Sequence, residues 1–349
     1  MSSHTTVATS GELDAMRRAL EIATHGPAVG ENPRVGCVLL SPEGEILAEG
    51  FHRGAGNPHA EVEALTALAE TGTTAEGTTA VVTLEPCNHQ GKTGPCAQAL
   101  IDARVARVVY AASDPGQASA GGANTLRDAG VDVAGGVLAE EAFDLNLHWM
   151  MATSLGRPFV TAKWAQSLDG RHAADDGTSQ WITGPLSRER VHRQRSEHGA
   201  IMVGTTTALV DNPSLTARDG DGLYGSQPLA VVMGERDIPA DAIVRNHPGG
   251  FTQLATRDPK QALGTLFEQG IRSVYIEGGA TLTSAFIKEG LVDSLQITMG
   301  PLLIGGANTA ITDIGVSTLI HAPRLTIESV EQLDQDIWVS ATPVRKDAN

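Results

Sequence analysis

One histidine, one glutamate and two cysteines in the first hundred residues have the types and spacing of a hydrolytic metal centre. They lie in Pro58-His59-Ala60-Glu61-Val62 and in Glu85-Pro86-Cys87, with Gly94-Pro95-Cys96 following, in a chain with only three cysteines. Zinc favours imidazole and thiolate, and a catalytic zinc keeps three protein ligands so that water can hold the fourth position. His59, Cys87 and Cys96 supply three such ligands. Glu61 stands two residues after the histidine, where hydrolytic removal of an amino group from a base needs a carboxylate that shuttles protons without binding metal. A closed structural zinc site is the plainer alternative. It would take His89 as a fourth ligand and would have no use for Glu61.

The elements around these residues are legible from periodicity. Residues 11–25 read as an amphipathic helix, with Leu13, Met16, Leu20 and Ala23 on one stripe and Ser10 as its cap. Arg34 to Leu40, the turn Ser41-Pro42-Glu43-Gly44 and Glu45 to Gly50 read as a hairpin. A glycine-rich loop, 51–57, then delivers His59 to a helix that runs until Gly72. The β-branched strand Thr79–Leu84 feeds into Cys87. Pro95 opens a helix from Cys96 to Ala103, a start that favours the ionised Cys96 thiol. A strand from Val105 to Ala111, a short helix through Ala129 and a strand from Val131 to Ala134 complete an alternation that implies an α/β domain with helices on both faces. Cys37, inside the apolar run 35–40, reads as a core residue.

Asn146 to Pro158 reads as a link to a second domain that begins with the strand Phe159–Ala165. No Gly-x-Gly-x-x-Gly follows that strand, so it is not a Rossmann entry. The helix Ser187–His198 carries Arg188, Arg190, His192, Arg193 and Arg195, the densest basic run of the chain, either a solvated face or part of an anion site. After the strand Ala200–Val203, the stretch 211–218 adds a capping Asp211 and Arg218. Residues 219–270 say less, beyond a surface loop at 220–226 and a strand from Pro228 to Met233. From Ser273 to Leu282 a strand, a Gly-Gly pair and a helix start come together, a place where backbone can approach a phosphate. Arginine forks such as those of Arg195 and Arg218 have the geometry that suits a phosphate.

At 349 residues two domains are expected, 1–150 and 151–349. Net charge is −16, with 8 basic and 19 acidic side chains in 1–150 and 17 and 22 in 151–349. That balance speaks against nucleic-acid binding and allows an anionic small ligand in the second half. No apolar run is long enough for a membrane span, the polar N-terminus lacks a signal peptide's core, and three cysteines argue for reduced thiols, so the expectation is a cytoplasmic protein without a membrane partner.

His-Ala-Glu joined to Glu-Pro-Cys, with eight residues between Cys87 and Cys96, resembles the bifunctional deaminase/reductase family of riboflavin biosynthesis. More distantly it resembles the cytidine-deaminase superfamily, most of which has Pro-Cys-x-x-Cys. Asn32-Pro33-Arg34-Val35-Gly36, Gly50-Phe51-His52, Ser167-Leu168-Asp169-Gly170-Arg171 and Ser179-Gln180-Trp181-Ile182-Thr183-Gly184 extend the likeness from about residue 12 to about 340. The resemblance implies an α/β chain, a cytidine-deaminase-like α/β/α domain followed by a domain similar to dihydrofolate reductase. It implies zinc in the first half and NADPH in the second.

By the same resemblance Asn32 and His52 would touch the base, and His89 and Lys92 the ribose phosphate. Ala165, Trp181, Thr207 and Asp211 would line the cofactor site, with Gly279, Ala280, Thr281, Leu282, Thr283, Ser284 and Ala285 as its pyrophosphate loop. Ser179, Leu215, Arg195 and Arg218 would face the substrate, Glu277 would lie near its ribose, and Lys163 would assist the ring-opened sugar. The implied substrate is a small diaminopyrimidinone ribosylamine phosphate, deaminated and then reduced from ribosyl to ribityl, in a homo-oligomer. Two rivals differ in class: a deaminase acting on nucleic-acid bases with an attached binding domain, and a non-catalytic metabolite-sensing module, which would not need Glu61.

Overall fold

The computed structural model describes residues 8–89 and 94–344. The chain divides into two compact units, 1–156 and 157–349.

The first unit comprises α1 (Ser10–Ala23), β1 (Gly36–Leu40), β2 (Ile46–Phe51), α2 (Ala60–Glu70), β3 (Thr79–Leu84), α3 (Cys96–Asp102), β4 (Arg107–Ala112), α4 (Gly122–Asp128), β5 (Asp132–Gly135), α5 (Ala139–Leu145) and α6 (Leu147–Leu155). Its sheet runs β2-β1-β3-β4-β5, with β1 antiparallel to both neighbours and β3, β4 and β5 parallel. Side chains alternate across a strand, and β1 shows what that does. Gly36 faces α1, whose Ala19 carbonyl leaves no room for a Cβ, whereas Cys37 faces the α2 side and feels the Glu61 charge. Helices therefore cover both faces, and β1 is buried along its whole length.

Three expectations change here. Thr9, not Ser10, caps α1: its hydroxyl accepts the Glu12 amide N–H at 3.2 Å while the Glu12 carboxylate accepts the Thr9 N–H at 2.7 Å. Pro95 is the cap of α3 and not its first-turn residue. Residues 147–155, read as a link, form α6, which buries Met150 in the first unit's core and donates the Trp149 indole N–H to the Glu31 carbonyl at 3.0 Å. The compact units consequently divide after Gly156 and not after residue 150.

The second unit contains β6 (Phe159–Ser167), α7 (Pro185–Ser196), β7 (Ala200–Gly204), α8 (Thr205–Asp211), β8 (Arg218–Asp219), β9 (Gly222–Leu223), β10 (Leu229–Met233), β11 (Phe251–Leu254), α9 (Pro259–Glu268), β12 (Ser273–Glu277), α10 (Ala280–Lys288), β13 (Ser294–Gly300), β14 (Leu325–Leu333) and β15 (Asp336–Pro343). Its large sheet has the order β11-β10-β7-β12-β6-β13-β15-β14. It is parallel from β11 to β13 and closes with the antiparallel pair β15 and β14. In open sheets of this kind ligands sit outside the carboxyl ends of the parallel strands. The register pairs Lys163, midway along β6, with Glu277, the last residue of β12. Asp211 is the exposed last residue of α8 and caps no following helix, because the chain turns left-handed at Asn212 (φ 40°).

Candidate active sites

His59 caps α2 in an extended conformation (φ −72°, ψ 161°), so its ring hangs from the helix start while Glu61 falls in the first turn. Cys87 follows β3, and Cys96 is the first residue of α3. His59 Nδ1 lies 3.2 Å from Cys96 Sγ and 3.6 Å from Cys87 Sγ, and the Cys96 amide donates to Cys87 Sγ over 3.4 Å. The three ligand atoms fall within 4.8 Å of one another. One imidazole and two thiols so grouped are a donor set that suits zinc. His89 is not among them, so the described residues would offer such an ion three ligands. The hydrogen bond from Cys96 pulls the Cys87 thiol well below the ordinary thiol value, and that bond together with burial pushes Cys96 up. Glu61 is only 3 % exposed, and burial pushes its carboxyl above the ordinary carboxylate value.

A cavity of about 140 Å³ opens beside this group, and His59, Glu61, Cys87, Asn32, His52 and His89 all line it. His52 Nδ1 is 2.9 Å from the Pro58 carbonyl, which fixes the proton on that nitrogen. Its Nε2 then accepts from the Asn32 amide at 3.0 Å, leaving Asn32 Oδ1 as an acceptor toward a ligand. His89 Nδ1 is buried, with no hydrogen-bond partner among the described residues. Lys92 lies outside the described residues. Cys37 is fully buried in the core, where its thiol is pushed up by burial.

The structure adds residues that sequence reasoning passes over. Glu85 accepts the backbone N–H groups of Asp114 (3.3 Å), Gly121 (3.3 Å) and Ala123 (3.0 Å), tying the loop that carries Cys87 to the end of β4 and the start of α4. A Cβ on Gly122 would run into the Pro86 carbonyl. Asp114, Ser119 and Trp149 complete the cavity wall. Glu85 has a signal, its place beside Pro-Cys. Trp149 has none, because its segment carries no clear stripe.

In the second unit a cleft of about 710 Å³ opens at the carboxyl ends of β6 and β12, against one face of α7. It gathers Lys163, Ala165, Ser179, Trp181, Arg195, Arg218 and Glu277 from the expected residues. Glu277 is gripped from two sides, by Arg195 Nε at 2.7 Å and Lys163 Nζ at 3.5 Å, with all three side chains 12–15 % exposed. Burial alone would raise the Glu277 pKa, but Arg195 and Lys163 outweigh it and hold the carboxyl at about 2. Burial also lowers the Lys163 pKa. The Trp181 ring lies under the Arg188 guanidinium at 4.4 Å.

Several expected residues lie elsewhere. Leu215 is 3 % exposed and packs in the core with Ile201, Val203 and Val232, so its apolar side chain is closed to a substrate. Thr207 does not line the cleft and sits instead beside the Gly278-Gly279 pair. Of the loop 279–285, the Thr283 hydroxyl donates to the Gly278 carbonyl (3.1 Å) and the Ser284 hydroxyl accepts the Thr312 N–H (2.9 Å), so both side chains serve the fold. Gly279 caps α10 without a side chain, and no acidic residue occupies the first turn of that helix. Ala280, Thr281, Leu282 and Ala285 follow it. Asp211 is solvent-facing at the far end of α8. Arg195, expected on the phosphate, is already committed to Glu277.

Over 310 residues the chain is 45% identical to a riboflavin biosynthesis protein RibD of Mycobacterium tuberculosis, covering 88% of this chain and 90% of that one. It belongs to the RibD family. The RibD protein of Escherichia coli is 37% identical over 359 residues, 92% of this chain and 96% of its own. Residues 10–112 match the cytidine and deoxycytidylate deaminase zinc-binding region, and residues 158–339 match the RibD C-terminal domain. Among solved structures, RibD of Acinetobacter baumannii superposes with a TM-score of 0.83 at 37% identity, covering 96% of this chain and 99% of that one. A diaminohydroxyphosphoribosylaminopyrimidine deaminase/5-amino-6-(5-phosphoribosylamino)uracil reductase of Thermotoga maritima gives 0.78 at 32% identity, with the same coverage. Like its RibD relatives this chain is a deaminase and a reductase of riboflavin biosynthesis, with a zinc-binding deaminase domain first. The nucleic-acid base deaminase is not favoured.

Proposed function

We propose that the first unit hydrolyses 2,5-diamino-6-(5-phosphoribosylamino)pyrimidin-4-one to 5-amino-6-(5-phosphoribosylamino)uracil, and that the second unit reduces the ribosyl group of that product to ribityl with NADPH. The observation that carries the reading is the grouping of His59, Cys87 and Cys96 beside a cavity that His59, Cys87 and Glu61 line. These three residues would hold zinc, which supplies the Lewis acidity that makes water nucleophilic near neutral pH. Glu61 takes the proton from that water at a carboxylate oxygen and returns protons to the departing ammonia. Asn32 Oδ1, held by His52, accepts from a ring N–H of the base, and His89 faces the ribose phosphate.

Outside the lining of the reductase cleft, the side-chain-free start of α10 at Gly279 and the neighbouring Thr207 fit a pyrophosphate, while Ala165 and Trp181 in the cleft itself would face the nicotinamide. Lys163 is the acid closest to the ring-opened sugar, Ser179 and Glu277 orient it, and Arg218 meets its phosphate. The required thiolates suit the reducing cytoplasm. The chain assembles with copies of itself: edge strand β14 and the turn before it expose Leu319 (81 %), Ile320 (78 %), Ile327 (54 %) and Val330 (64 %). Glu61→Gln tests the deaminase assignment. Ammonia release should fall by about 10²–10⁴-fold with zinc content unchanged, whereas native-rate release would remove Glu61 from the mechanism.

A further inference from the structure

Four residues of α7, Arg188, Val191, His192 and Arg195, share the helix face that lines the reductase cleft. The arginines differ in what they have left to offer. Arg195 is bound to Glu277 (2.7 Å) and also donates to the Thr216 carbonyl (2.9 Å), so its charge is compensated. Arg218 reaches the same cleft from the short β8, and among the described residues it has no carboxylate at ion-pair distance. Its side-chain partner among them is His192, whose Nε2 lies 3.3 Å from Arg218 Nη2. His192 Nδ1 lies 3.0 Å from the Thr216 carbonyl. A carbonyl can only accept, so Nδ1 carries the ring proton and Nε2 presents its lone pair to the guanidinium.

The backbone beside Arg218 is itself clamped. The Gln227 side chain accepts the Ala217 N–H at 3.0 Å and donates to the Ala217 carbonyl at 2.7 Å. What remains for the fold to fix is the direction of a long, rotamer-rich side chain, whose ordering has an entropic cost if left to the ligand. A neutral ring suits that purpose. Burial, then the charges of Arg195 and Arg218, bring the His192 pKa down to about 4, so the ring stays an acceptor at neutral pH.

We propose that His192 is a positioning residue of the reductase, holding Arg218 across the cleft so that the guanidinium meets the substrate's phosphate ready-oriented. The inference rests on the reading of the cleft as the site of a phosphorylated ribosylamine. It is tested by steady-state NADPH oxidation with 5-amino-6-(5-phosphoribosylamino)uracil and with its dephosphorylated counterpart, in the native chain and in His192→Leu, His192→Gln, Arg218→Ala and the His192→Leu/Arg218→Ala double variant. Thermal unfolding of the same chains, followed by circular dichroism, serves as the folding control.

His192→Leu should raise KM for the phosphorylated substrate by about tenfold with kcat within about twofold, the scale of one charge-assisted hydrogen bond. KM for the dephosphorylated substrate should not move. The glutamine, which keeps an acceptor for Arg218, should recover most of the loss, and the double variant should be no worse than Arg218→Ala alone. Equal losses on both substrates, or additive losses in the double variant, would overturn the inference while leaving the cleft assignment standing. A native enzyme that does not prefer the phosphorylated substrate would overturn both.

Discussion

Glu61 and Glu277 are both buried carboxylates, and their neighbours give them opposite properties. Glu61 has burial as its dominant influence, and its carboxyl is raised above the ordinary value. Glu277 has two cations against it and remains ionised down to a pH of about 2. Its depressed pKa means that the triad stabilises the fold fully above the ordinary glutamate value of 4.5 and loses that contribution as pH falls from there toward about 2. Glu277→Gln leaves Arg195 and Lys163 buried without their counter-ion. The expected cost is roughly 3 kcal/mol at neutral pH, shrinking across that acid window, as read by denaturant unfolding of native and variant chains. An equal cost at neutral pH and near pH 2 would show that the carboxylate's charge is not what the site depends on. At this scale much is legible. His59, Glu61, Cys87 and Cys96 are named by type and spacing, and the structure brings all four together. Leu215 and Arg195 illustrate what spacing cannot show: whether a side chain points into a core, or is already taken by an ion partner.

Among the elements, α2, β3 and α3 are readable because each carries a clean signal: a glycine-delimited stripe, a β-branched run, a proline before the start. The segment Leu147-His148-Trp149-Met150-Met151 is apolar without a single stripe, so it reads as a link and its Trp149 as an incidental residue. Residues 219–270 hide β11 and α9, although Asp258-Pro259 is a cap followed by a first-turn proline. The element that most affects chemistry is the loop after β3. Glu85 gives it rigidity by accepting three backbone N–H groups from two other segments. Glu85→Ala removes those acceptors and is expected to weaken zinc retention by about 10–100-fold without touching a ligand. Competition with a chromophoric chelator measures this, and an unchanged zinc affinity would show that Cys87 is positioned without Glu85.

For the whole molecule, each unit has its own sheet and core, and each sheet brings its site to the carboxyl ends of parallel strands. Length and charge suggest two domains and an anionic ligand, but the eight-stranded sheet with its antiparallel outer pair is a long-range pairing that local pattern does not encode. That outer strand has apolar side chains in solvent, and Ile327→Glu is expected to shift the native chain's mass in light scattering from an oligomer toward a monomer. An unchanged mass would exclude β14 as the interface. The central claim is that one chain performs two reactions in order on one substrate. It is tested most directly by supplying zinc-loaded protein with the diaminopyrimidinone ribosylamine phosphate and NADPH, and following ammonia release and loss of nicotinamide absorbance together. The account predicts one NADPH oxidised for each ammonia released, with oxidation lagging behind release. Ammonia without oxidation, or oxidation that begins before any ammonia appears, would contradict it.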